Sequence, residues 1–326
     1  MPDTPDWQLP TAVQPHGDDF AFDIDQALAA VVGLSARIPD DAFTAGILGT
    51  ERAGHGVVIS KDGLVLTIGY LITEAETIWL TLADGRRVQG HVLGYDQATG
   101  FGLVQALAHL DFPALRLGDS AAAKLGDRVV VAAAGGRNHA LAAHVVAKQE
   151  FAGYWEYVLD EAIFTAPAHP FWGGAAVISP AGDLIGIGSL QLEQAGGGEG
   201  RSHHLNMIVP IDLLKPILGD LRTVGRPNRR PRPWLGLYAT EVNNKVTIAG
   251  VTERGPAQRA DLRAGDVVLA VGGAEVNDLA GFFRRIWSLG EAGVKVPIAL
   301  MRDGETTQIN VASADRERFL KAPRLH

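Results

Sequence analysis

Few residues in this chain could do chemistry, and their spacing rules out most kinds of it. None of the 326 residues is a cysteine, which excludes thiolate catalysis, disulfides and thiolate metal sites. Histidines 139, 144, 169, 203 and 204 are scattered and show no i, i+4 pair with a partner carboxylate. Adjacent histidines on a strand point to opposite faces, so neither a metal nor a cofactor is expected. A Ser–His couple for acyl transfer would have to come from Ser179, Ser189 and His169, which read as turn and loop residues. The neighbouring carboxylates Asp160 and Glu161 read as solvated surface charge. The segment that stands out is Pro170-Phe171-Trp172-Gly173-Gly174-Ala175. This twin-glycine turn precedes apolar strands at 176–179 and 184–188, themselves joined by the turn Pro180-Ala181-Gly182-Asp183.

The elements that must position these residues are mostly strands. Residues 1–24 are expected to form a flexible arm, with Trp7, Phe20 and Phe22 able to dock, and residues 25–30 a short helix. Strand signals with turn punctuation then recur: 31–36, 56–60, 64–67, 77–82, 87–92, 101–106, 128–133, 142–147, 156–164 and 205–209. Such spacing predicts an all-β barrel or sandwich. A closing helix is expected over 211–221, a Gly196-Gly197-Gly198 loop tip before it, and a semi-rigid Arg/Pro linker over 222–233. A smaller unit follows at 234–315, then a tail at 316–326. In it, positions 279, 282, 283, 286 and 287 form the apolar stripe of a helix.

Bulk composition narrows the class further. The net charge of −8 and pI near 5.7 argue against nucleic acid as a partner, because phosphate binding needs a basic surface. No apolar run reaches the roughly 18 residues a membrane span needs. The polar, proline-rich start carries no secretory signal. This predicts a cytoplasmic protein if Met1 is the native start, and a periplasmic one if the start has been trimmed.

The chain resembles the HtrA/Deg family, a mostly-β trypsin-like double β-barrel (here 25–221) followed by a C-terminal PDZ domain (234–315). In the second domain the resemblance rests on Trp234-Leu235-Gly236-Leu237, Gly255-Pro256-Ala257, the run from Ala260 to Gly273, and Arg302-Asp303-Gly304. In the first it rests on Ser60 to Thr67, Leu117-Gly118-Asp119-Ser120 and Leu125-Gly126-Asp127-Arg128-Val129. The family's catalytic turn reads Gly-Asn/Asp-Ser-Gly-Gly-Pro, so Trp172 falls at the nucleophile. Tyr70 falls at the general base and Gly100 at the aspartate that orients it. Pro170 falls at an oxyanion-hole position and has no N–H to give. A phenol with an unperturbed pKa near 10 does not accept a serine proton as imidazole does.

The resemblance therefore implies a protein without the Ser-His-Asp triad, a pseudoprotease that is not an enzyme. It would bind peptide or protein C-termini at Trp234, Leu235, Gly236 and Leu237, with the helix from Leu279 as the other wall. It would serve as a scaffold or adaptor in protein quality control, in homo- or hetero-oligomers with HtrA-like subunits. The alternative is a serine endopeptidase of the same family with a relocated active site.

Overall fold

The computed structural model describes residues 7–195 and 202–322; the expected 196–198 loop tip and both extreme termini lie outside the described residues. The chain divides into two compact units. One comprises 1–149, 161–228 and 322–326, the other 150–160 and 229–321.

In the first unit, α1 (Ile24–Leu28) leads into β1 (Val31–Arg37), α2 (Ala45–Leu48), β2 (Glu51–Val58), β3 (Leu64–Ile68), β4 (Thr77–Thr81), β5 (Arg87–Tyr95) and β6 (Phe101–Ala106). These strands close a barrel in the order β1-β2-β3-β6-β5-β4. The period-two rule is visible in β4, where Ile78 and Leu80 are buried and Trp79 faces outward. Strand β3 is buried at every position, including Thr67, whose hydroxyl donates to the His55 carbonyl at 2.6 Å.

A second barrel is formed by β7 (Arg128–Ala132), β8 (Ala140–Gly153), β9 (Tyr157–Ala166), β10 (Ala176–Ile178), β11 (Leu184–Ala195) and β12 (Ser202–Pro210), in the order β10-β11-β12-β9-β8-β7. The closing helix differs from expectation. A 3-10 turn at Ile211–Leu213 and a short α3 (Leu218–Thr223) replace one continuous helix, because Pro216 between them has no N–H for the helical ladder.

The amino-terminal arm also differs: from Trp7 onward it is docked. Leu9 donates its N–H to Asn138 O at 2.9 Å and is buried in the second barrel's core. Trp7 meets Phe171 edge-on at 4.6 Å.

The second unit contains β13 (Leu237–Val242), β14 (Lys245–Val251), α4 (Pro256–Arg259), β15 (Val267–Val271), β16 (Ala274–Glu275), α5 (Leu279–Ser288), β17 (Lys295–Arg302) and β18 (Glu305–Ala312). Its sheet runs β13-β14-β15-β17-β18, with β16 on β15, so β13 is an edge strand. Asp278 caps α5 by accepting the Gly281 N–H at 2.6 Å. The stripe of α5 faces the core as its spacing requires, with Phe282, Phe283 and Ile286 buried and Leu279 and Trp287 packed beside them. Val158, from the 150–160 segment, joins the same core.

Candidate functional site

The twin-glycine turn is built by backbone contacts that leave no room for side chains. His55 N–H donates to Gly173 O at 2.8 Å, Gly174 N–H to Gly188 O at 2.9 Å, and Ala175 N–H to Trp172 O at 3.0 Å. A Cβ on Gly174, whose φ is +79°, would lie 1.9 Å from His55 O; one on Gly188 would lie 2.2 Å from Trp172 O. The turn is held from below by Asn206, which accepts the His169 N–H at 2.6 Å and donates to the His169 carbonyl at 3.1 Å.

Both ring nitrogens of His169 are committed. Nδ1 accepts the Phe171 N–H at 3.0 Å and Nε2 faces His139 O at 3.1 Å, which fixes the neutral Nε2–H tautomer. Burial pushes its pKa down to about 4. His55 is more extreme. Burial, then the neighbouring His169 and His139, take it down to about 3. Its Nδ1 accepts the Ala134 N–H at 3.2 Å, while its Nε2 is buried and unpaired.

Tyr70 sits in the 3-10 turn after β3. Its hydroxyl donates to Ser189 O at 2.9 Å and would be 3.0 Å from a Cβ on Gly173. Burial raises its pKa above the ordinary phenol value, and the Trp172 side chain opposes this as a hydrogen-bond donor. Gly100, at φ +85°, accepts the Gly69 N–H through its carbonyl at 2.6 Å. The structure thus gathers Tyr70, Gly100 and the 172–174 turn within one neighbourhood.

The relocated-site candidates do not form a couple. Ser179 Oγ accepts the Ala181 and Asp183 N–H groups, each at 3.2 Å, as a turn residue does. Ser189 meets Tyr70 through its carbonyl. Asp160 is ion-paired to Arg284 at 2.5 Å and Glu161 to Lys148 at 3.1 Å.

Sequence reading missed the group that fixes the Tyr70 backbone. Arg52 is buried and donates to the carbonyls of Tyr70 (2.8 Å), Thr73 (3.0 Å) and Gly49 (3.1 Å), and to Thr44 Oγ1 (2.8 Å). Glu74, itself at φ +64°, accepts Thr44 Oγ1 at 2.6 Å and the N–H groups of Phe43 and Thr44. No sequence signal marked Arg52, which is flanked by Glu51 and lies three residues before His55.

The second site lies in the other unit. The N–H groups of Leu235, Gly236 and Leu237 converge on the carboxylate of Glu156, with contacts of 3.1–3.2, 2.7 and 3.2 Å. Gly236 adopts φ +74°, a conformation that lets successive amides point at one anion. Trp234 has a different task. Its N–H donates to Ala314 O at 3.0 Å, and its ring packs on Phe319 at 4.9 Å. Burial raises the Glu156 pKa to about 7, outweighing the three N–H contacts and the positive Arg316 that act the other way. No sequence signal pointed to Glu156.

Two closed six-stranded barrels followed by a sheet with a capped helix define a trypsin-like domain followed by a PDZ domain. Comparison with known proteins agrees: residues 54–187 match the trypsin-like peptidase domain and 233–312 the PDZ domain. A probable periplasmic serine endoprotease DegP-like of Pseudomonas fluorescens is 27% identical over 80% of this chain and 56% of its own length. Its counterpart in Pseudomonas putida (strain W619) is 26% identical over 90% of this chain and 69% of its own length. The chain thus spans little more than half the length of several curated relatives it matches. The solved structure titled HtrA-type protease AlgW with tripeptide is 22% identical, with a TM-score of 0.53, over 92% of this chain and 97% of that one; it speaks to the fold. The chain thus pairs a trypsin-like peptidase domain with a PDZ domain, and the relatives it resembles are DegP-like serine endoproteases.

Two expectations are corrected here. The chain was expected not to be an enzyme; the relatives aligned over 80–90% of it are named serine endoproteases, which overturns that reading. Its cytoplasmic placement finds no support either, since the same relatives are named periplasmic. Among the described residues no helix is long and apolar enough to cross a membrane.

Proposed function

We propose that this chain is an HtrA-family protein that captures peptide segments through its PDZ domain, in the periplasm, as part of protein quality control. The observation that carries the reading is the convergence of the Leu235, Gly236 and Leu237 N–H groups on a carboxylate. Such an arrangement suits a peptide C-terminus laid along the β13 edge. A family neighbour solved with a tripeptide adds support. The test compares one fluorescent peptide bearing a free C-terminus with its amidated twin. Several-fold tighter binding of the free acid is expected; equal affinity overturns carboxylate capture.

A second reading is favoured by the relatives' names: a serine endopeptidase with an unconventional active site. In it, Tyr70, Gly100 and Trp172 hold the positions that the family gives to base, orienting aspartate and nucleophile, with Pro170 at an oxyanion position. The attacking hydroxyl must then come from elsewhere in the first unit. A casein digest paired with a serine-directed fluorophosphonate probe tests it. Cleavage with labelling that maps to one serine supports the reading, and intact casein with no labelled serine removes it.

A further inference from the structure

The carboxylate that fills the PDZ loop belongs to a turn of this same chain, and that turn meets the unit at a second point. Tyr154 O accepts the Ala239 N–H at 2.9 Å. Ala239 lies two residues beyond Leu237 on β13, the edge strand, whose other side is paired to β14. Tyr154 lies two residues before Glu156. A peptide C-terminus added to this edge would offer the same pair of groups: a terminal carboxylate for the loop amides and an upstream carbonyl for an edge-strand N–H. The turn Tyr154-Trp155-Glu156 supplies both.

The turn is built to hold this pose. Glu156 adopts φ +58°, an uncommon conformation for a side-chain-bearing residue and one that persists where the surroundings impose it. Trp155 stacks on Tyr157 at 5.4 Å with ring planes 16° apart, and Tyr154 packs near Tyr238 at 5.9 Å. Val158 anchors the returning strand in the core. Arg284 binds both ends of the segment, through Glu150 and Asp160 at 2.5 Å each. The Glu156 side chain is 6% exposed as a residue, so no other carboxylate reaches the loop amides while it is seated.

We propose that residues 154–156 act as an internal pseudo-C-terminus that occupies the PDZ peptide site in cis and must leave before a peptide carboxylate binds. This rests on the peptide-capture reading above. A competitor held on the same chain reduces apparent affinity by the fraction of time the site is free.

The test uses the full chain and a fluorescein-labelled decapeptide ending in a valine with a free carboxylate, beside its amidated twin. Two variants serve. Glu156→Gly removes the carboxylate and suits the positive φ, so the turn is retained; Glu156→Gln removes only the charge. Glu156→Gly is expected to bind the free acid about tenfold or more tightly than the wild type, with Glu156→Gln between them and the amidated peptide unchanged. Hydrogen exchange adds a peptide-free readout: the Gly236 and Ala239 amides are expected to be protected in the wild type, and Gly236 to exchange faster in Glu156→Gly. Equal free-acid affinity of the folded wild type and Glu156→Gly overturns the pseudo-ligand while leaving peptide capture standing. Failure of every variant to distinguish acid from amide overturns both. Unprotected Gly236 and Ala239 amides in the wild type also overturn the proposal.

Discussion

The hydroxyl of Tyr70, carried by the first barrel, donates to the carbonyl of Ser189, carried by the second, over 2.9 Å. This bond joins the His55 N–H···Gly173 O contact in tying the barrels together beside the 172–174 turn. Replacing Tyr70 by phenylalanine keeps the ring and removes the donor, leaving the Ser189 carbonyl without this partner. A loss of about 1–2 kcal/mol is expected, read as a lower urea midpoint with an unchanged slope. An unchanged midpoint would mean that solvent replaces the phenol at no cost.

Arg52 supports the same region from behind. Its guanidinium serves three carbonyls and the Thr44 hydroxyl, and burial lowers its pKa to about 10, still charged at neutral pH. Arg52→Met keeps most of the side-chain volume and strands those acceptors. A loss of about 3 kcal/mol is expected. The same variant should loosen the 69–74 segment, seen as faster amide exchange at Thr73 and Ile72. Retained protection there would show that the 3-10 turn holds by itself.

How far the chain could be read from its sequence depends on where the deciding forces lie. The strands were legible because burial writes period-two or continuous apolar patterns, as in β3 and β4. Helix α5 was legible through its apolar stripe, whereas its Asp278 cap emerged only in the structure. The closing helix is split because Pro216 interrupts the hydrogen-bond ladder within an otherwise apolar stretch. Tyr70, Gly100 and Trp172 could be placed side by side because motif order survives in the sequence. Glu156 was invisible, since its importance comes from meeting loop amides 79–81 residues away. The Arg52–Thr44–Glu74 network was hidden for the same reason, as long-range polar pairing leaves no periodic trace.

Gly188 tests the close packing of the twin-glycine turn. A methyl there would overlap Trp172 O at 2.2 Å, and that oxygen already accepts the Ala175 N–H. Gly188→Ala must therefore displace the turn or β11. A cost of about 2 kcal/mol or more is expected, with the Ala175 amide exchanging faster. Gly219, which has open space around its would-be Cβ, is the control. Gly219→Ala, inside α3, should be neutral or stabilising by about 1 kcal/mol, measured by the same urea titration.

The two units should respond to pH in opposite directions. In the first, His55 and His169 have folded pKa values of about 3 and about 4, depressed from 6.5. Below pH 6.5 the unfolded chain takes up protons that the native one refuses. Stability is therefore complete above that value and falls on acidification, by about 1.4 kcal/mol per pH unit for each histidine until its folded pKa is reached. In the second unit Glu156 is raised from 4.5 to about 7. Between those values the native chain holds a proton that the unfolded chain has released, so this residue's contribution is greatest below pH 4.5 and declines as pH rises to 7. Hydrogen exchange resolved by unit across pH 4.5–8 is expected to show the first unit weakening and the second strengthening as pH falls. Glu156→Gln should flatten the Glu156 contribution in the second unit and leave the first unchanged. Parallel slopes in the two units would show that these buried groups do not control the acid response.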